Sequence, residues 1–154
     1  MSESIQTGKP ASLLRAILGV IAGAILWTFG FLILARILVM IWPAYAVPAR
    51  IWVQSANYTF STPMSVCNAC FWIVVEMAAG WLTAVIARRQ GPVRVLAALV
   101  MAYLCFLHLY FMWPKFPWWY NLVVALSSGP AVLWGGRLAL ALKRGAVPVA
   151  AAVA

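Results

Sequence analysis

The chain has 154 residues, of which 66% are hydrophobic and 8% charged, and its mean hydropathy is +0.99. Soluble domains are about half apolar and a quarter charged, so a water-soluble fold of this length has no means of hiding so much apolar surface. The formal charge of +9 arises from 11 Lys and Arg against 2 Asp and Glu; the basic residues flank apolar runs and form no nucleic-acid motif, so they suit the anionic headgroups of a bilayer rather than DNA or RNA.

The first apolar run, about 13–42, is far longer than a signal-peptide core of about 7–15 residues, so it reads as a retained span even though Ala44-Tyr45-Ala46 resembles a cleavage site. It carries a GxxxG at Gly19 and Gly23, which lets another helix approach closely, within the chain or from a second copy. An outer loop follows over 43–63, in which Arg50-Ile51-Trp52-Val53 suits a short helix on the membrane surface and Asn57-Tyr58-Thr59 is a glycosylation sequon. Further runs cover about 64–87, 93–113 and 118–142. Each meets the roughly 20 residues needed to cross a hydrocarbon core, and helices satisfy their own backbone in lipid. The expectation is an all-α membrane protein: one membrane domain over 1–154, built as a bundle of four transmembrane helices.

Charge sets the orientation. Lys9, Arg15, Arg88, Arg89, Arg94, Arg137, Lys143 and Arg144 fall on one side, against Arg36, Arg50 and Lys115 on the other. The positive-inside rule then places both termini in the cytoplasm and the chain in a cell's inner (plasma) membrane, with Trp42, Tyr45, Trp113, Trp118 and Trp119 at the outer headgroup level. The two halves share a loose pattern. Trp42-Pro43 and Trp113-Pro114 end the outward helices, while Ala79-Gly80-Trp81-Leu82 and Gly135-Gly136-Arg137-Leu138 precede the basic ends of the inward ones. This reads either as a parallel repeat or as the common habit of ending a span in small and then basic residues.

Glu76 is one of only two acids, and about 12 residues at 1.5 Å each separate it from Arg88, which puts it near mid-bilayer. An ionisable group there costs on the order of 3 kcal/mol and faces the bundle or water. Spacing agrees: Ser65, Ala69, Ala79, Gly80, Thr83 and Ala87 share its face, opposite Phe71, Val74, Trp81 and Val85. The same count from Arg94, Lys143 and Arg15 places His108, Pro130 with Ser127 and Ser128, and Thr28 at a similar depth. Pro130 should kink or interrupt its helix and free the Leu126 carbonyl. Glu76, His108, Thr28, Ser127, Ser128 and Pro130 are therefore the candidate layer for a proton, ion or substrate, or alternatively a set of hydrogen bonds that locks helices together.

Cys67 and Cys70 have CxxC spacing, which suits a thiol redox pair, but small apolar-tolerant cysteines are ordinary in membrane helices. With one histidine, and without GxSxG, HExxH or a phosphate-binding glycine loop, no metal, cofactor or enzymatic activity is expected.

The stretch from Glu76 to Gly91, with Trp118-Trp119-Tyr120 and Gly129-Pro130 through Gly135-Gly136-Arg137-Leu138, resembles a loose group of small bacterial four-helix inner-membrane proteins. Those carry an Ala/Gly-rich second helix ending in paired arginines and a Gly-Gly pair closing the fourth. The resemblance implies the fold and no activity. The small multidrug transporters share the design of four helices and one membrane Glu, but here the Glu is on the second helix. Two functional classes stay open. One is a non-enzymatic accessory or structural subunit, acting as a homo-oligomer or in a larger membrane complex. The other is a small proton-linked transporter or ion pathway using Glu76 and His108.

Overall fold

The computed structural model describes residues 9–145, with side chains over 12–143. The described chain is helical, without a strand: α1 (Lys9–Ile41), α2 (Pro43–Ser55), α3 (Thr62–Ala87), α4 (Gln90–Phe106) and α5 (Trp118–Gly145). A π-turn over Leu107–Phe111 extends α4. Four of these segments are long and apolar enough to cross a membrane: Ser12–Ile41, Thr62–Ala87, Gln90–Phe111 and Trp118–Lys143. The shortest has 22 residues, about 33 Å at the helical rise, which matches a hydrocarbon core of about 30 Å. The protein is thus an all-α membrane bundle with four candidate transmembrane helices.

Local chemistry sets the breaks. Pro43 cannot continue α1, because it lacks the N–H a helix interior needs, but it fits the first turn of α2, with Trp42 in the N-cap position. The α2 helix ends at Ala56, which adopts a left-handed conformation at φ 54°. The turn between α3 and α4 is minimal. Arg88 closes α3 at φ 57° with its N–H on the Ala84 carbonyl (2.8 Å), and the extended Arg89 opens α4. The π-turn closes with Met112 N–H on the Leu107 carbonyl at 2.9 Å, five residues back.

Three expectations are corrected here. The outer loop over 43–63 is mostly the helix α2, longer than the Arg50–Val53 stretch, because Tyr45 packs with Leu38 and Met64 and gives that segment an apolar face to bury. The third span ends in the π-turn at Phe111 and does not reach Trp113. Pro130 does not interrupt α5, which is continuous through it.

Helix α3 is the hub, packed between α1 and α5 and also touching α4. Gly19 and Gly23 are spent inside the chain. A Cβ on Gly19 would lie 3.0 Å from the Thr83 carbonyl, and one on Gly23 would collide with Thr83 Oγ1 and sit 2.7 Å from Leu96. Glycine thus brings α1 onto α3 at backbone distance. On the far side of α1, Leu13, Ile17, Ile21, Ile25, Phe29 and Leu32 are exposed and form its lipid face. On α3 the predicted face is the packed one: Ser65, Ala69, Ala79, Gly80, Thr83 and Ala87 are buried, whereas Val74, Trp81 and Val85 are exposed and Phe71 is half-buried.

Candidate functional site

Glu76 is completely buried, and neither carboxyl oxygen has a hydrogen-bond partner. Its depth follows from the packing around it. Gly23 faces Ala79 and Thr83 and Gly30 faces Val75, so Trp27 on α1 lies level with Glu76. Gly80 faces Val132, so Ser128 on α5 is close to the same level. Ser128 is fully buried and donates its hydroxyl to the Ala125 carbonyl at 3.0 Å; Thr83, about two turns from Glu76, donates to the Ala79 carbonyl at 2.9 Å. The Trp27 indole N–H is buried without an acceptor, its ring edge-on to Tyr103 at 5.6 Å and tilted against Trp72 at 6.0 Å. The mid-span layer therefore holds an unpartnered donor on α1 and an unpartnered carboxyl group on α3.

His108 is elsewhere. Its Nδ1 lies 2.9 Å from Asn121 Oδ1. The Asn121 amide nitrogen donates toward the Met112 and Phe116 carbonyls at 3.5 and 3.3 Å, which turns its oxygen to the imidazole and makes Nδ1 the protonated nitrogen of the neutral ring. The expected Glu76–His108 contact does not form, for a geometric reason. Glu76 stands 11 residues above the end of α3 at Ala87, about 16 Å, whereas His108 stands 18 residues above the start of α4 at Gln90, about 27 Å. Arg94 is already one turn inside the helix, so counting from it underestimates the depth. Contacts down the α4–α5 seam agree: Met101 faces Gly129, Cys105 faces Ala125 and His108 faces Asn121.

The other layer candidates separate as well. Thr28 is exposed and donates to its own helix at the Ala24 carbonyl, 2.9 Å away, so it faces lipid. Pro130 is exposed and Ser127 half-buried; with Ile73, Met77, Ala131 and Trp134 they line a groove of about 220 Å³ between α3 and α5, in which the Ser127 hydroxyl has no partner. Neither Glu76 nor His108 lines it. Cys67 is half-buried and Cys70 exposed, both as free thiols, and no group of three or more metal-ligating side chains occurs among the described residues.

The residues that reasoning from the sequence missed form a second polar cluster under α2. Tyr45 donates to Asn68 Oδ1 at 2.6 Å, and the Tyr58 and Ser65 hydroxyls are hydrogen-bonded to each other. Phe116 stacks on Tyr120 at 5.1 Å, with Tyr58 and His108 4.5 and 6.0 Å from it. The available signal was Asn68 and Asn121, amides inside apolar runs, which have to find partners in lipid. No protein-family model matches the chain, and neither the comparison with curated proteins nor that with solved structures found a match.

Proposed function

We propose that this small multi-pass membrane protein is a non-enzymatic accessory or structural subunit of an inner membrane, with both termini cytoplasmic. The observation that carries this reading is the use made of its only histidine. His108 is held by Asn121, and Asn121 by two backbone carbonyls of the turn after the π-segment, so a residue suited to chemistry is engaged in fastening α4 to α5. Tyr45 with Asn68 and the glycine contacts around α3 act in the same sense. The groove beside Ser127, between α3 and α5, is the natural seat for a neighbouring helix of the same or another chain. The test is cysteine cross-linking in native membranes from Trp134, which lines that groove and is exposed, with Val123 on the same helix as control. A specific cross-linked species from Trp134 alone supports the subunit reading, and an identical monomer from both sites overturns it.

A second reading, proton-linked transport or ion conduction, is supported by one observation: the mid-span Glu76 carboxyl has no partner in the fold. Reconstituted liposomes under a pH gradient test it. Flux in the parent that Glu76→Gln abolishes supports transport, and parent vesicles no leakier than empty ones refute it.

A further inference from the structure

A cavity of about 540 Å³ lies on the flank of the bundle, between the first half of α1 and the first turns of α4. Its walls are apolar: Ile17, Val20 and Ile21 on α1, with Pro92 and Val95 on α4. Toward the bilayer centre it ends where Gly23 packs on Leu96. Gly91 lines it too, and a Cβ there would meet nothing within 4 Å. The rim at the membrane edge is Arg89.

The charges at this edge have no acidic counterpart among the described residues. Arg89 is exposed and uses one N–H, from Nη2, on the Ser12 carbonyl at 3.1 Å, which leaves most of its five donors. Arg15, Arg88 and Arg94 are exposed around the same edge. The only acidic side chain among the described residues is Glu76, buried at mid-span. A guanidinium at headgroup depth above an apolar slot at acyl depth is complementary to one kind of molecule in its surroundings: a lipid with an anionic head. We propose that this groove is a binding site for an anionic phospholipid, with one acyl chain between α1 and α4 and the phosphate on Arg89. The slot separates a lipid from free phosphate, and the rim separates an anionic lipid from a zwitterionic one. The proposal rests on the transmembrane fold and is independent of the subunit and transport readings.

The experiment is native mass spectrometry of the full chain from detergent micelles with phosphatidylglycerol or phosphatidylcholine of identical acyl chains, and with inorganic phosphate alone. The parent should retain phosphatidylglycerol preferentially and show no adduct with phosphate. Arg89→Gln should weaken phosphatidylglycerol retention by about fivefold, the effect of one basic residue at the surface. Gly91→Phe, whose Cβ would meet no protein atom within 4 Å and whose ring would occupy the slot, should abolish it while the far-UV circular dichroism stays that of the parent. Equal retention of the two lipids, an adduct with phosphate alone, or undiminished preference in either variant overturns the proposal. Arg15→Gln provides a further charge variant should either of the first two fail to fold.

Discussion

Gly80 and Gly135 are reciprocal. A Cβ on Gly80 would fall on the Val132 carbonyl, three residues before Gly135, and a Cβ on Gly135 would fall on the Met77 carbonyl, three residues before Gly80. The two helices run in the same direction, so α3 and α5 meet around a local twofold axis along the membrane normal. The crossing is one residue out of register with the loose repeat of Ala79-Gly80-Trp81-Leu82 against Gly135-Gly136-Arg137-Leu138, which pairs Gly80 with Gly136, a residue that faces Val93 on α4. Backbone meets backbone at this crossing, so no rotamer change relieves an added methyl. Gly80→Ala and Gly135→Ala should each cost about 1–3 kcal/mol or more as overpacking. Gly91→Ala, which meets open space, should be neutral or slightly stabilising. Thermal unfolding in micelles measures all three, and equal effects at Gly80 and Gly91 would contradict the close crossing.

The spans and the packed face of α3 were legible because each is a property of one helix. Apolar length reports a span, and small residues on one face of a helix report where its neighbours come close. Depth across helices was not legible in the same way. It depends on where each helix starts relative to its neighbours, and Arg94, one turn inside α4, was a false datum for the membrane edge. Thr28 misled for a different reason. A threonine satisfies its hydroxyl on the preceding turn, as here on Ala24, and then faces lipid at little cost. The cluster under α2 joins Tyr45 to Asn68 across 23 residues, a pairing that no local pattern announces.

His108 and Asn121 should be energetically coupled. In lipid a hydrogen bond between helices contributes about 0.6 kcal/mol on average and up to about 1.7, because the unfolded helices also find partners. A double-mutant cycle with His108→Ala and Asn121→Ala should fall in that range. Asn121→Ala alone should be the costlier single change, since it also strips the Met112 and Phe116 carbonyls of their donor. A coupling of zero would mean that the 2.9 Å contact does no fastening.

The α2 cap should loosen in alkali. Burial holds the Tyr45 and Tyr58 phenols above their ordinary value of 10.0. Both groups are neutral in the folded chain at pH values where the unfolded chain has begun to ionise. Their contribution to stability is therefore complete below about pH 10 and is lost as the pH rises through the folded values. Melting followed by tryptophan fluorescence between pH 8 and 12 should show a fall that Tyr45→Phe with Tyr58→Phe reduces. A parent profile flat to pH 12 would remove the linkage.

Glu76 offers the sharpest division between keeping a residue for the fold and keeping it for a task. Its two oxygens are buried with no partner, and a buried polar group without one costs about 1–3 kcal/mol. Methionine has a similar stem and no oxygen to satisfy, so Glu76→Met should raise stability by about that amount, whereas Glu76→Ala should lower it by leaving a cavity. Glu76→Met less stable than the parent would show that the carboxyl makes a bond in the membrane that the fold alone does not supply, from a bound water, an ion or another chain. Glu76→Met more stable, with flux present in the parent and lost in the variant, would mark Glu76 as a residue retained against stability for transport. More stable with no flux in either, it would leave the scaffold intact and turn attention to the lipid groove and the Ser127 groove as the surfaces through which the bundle acts.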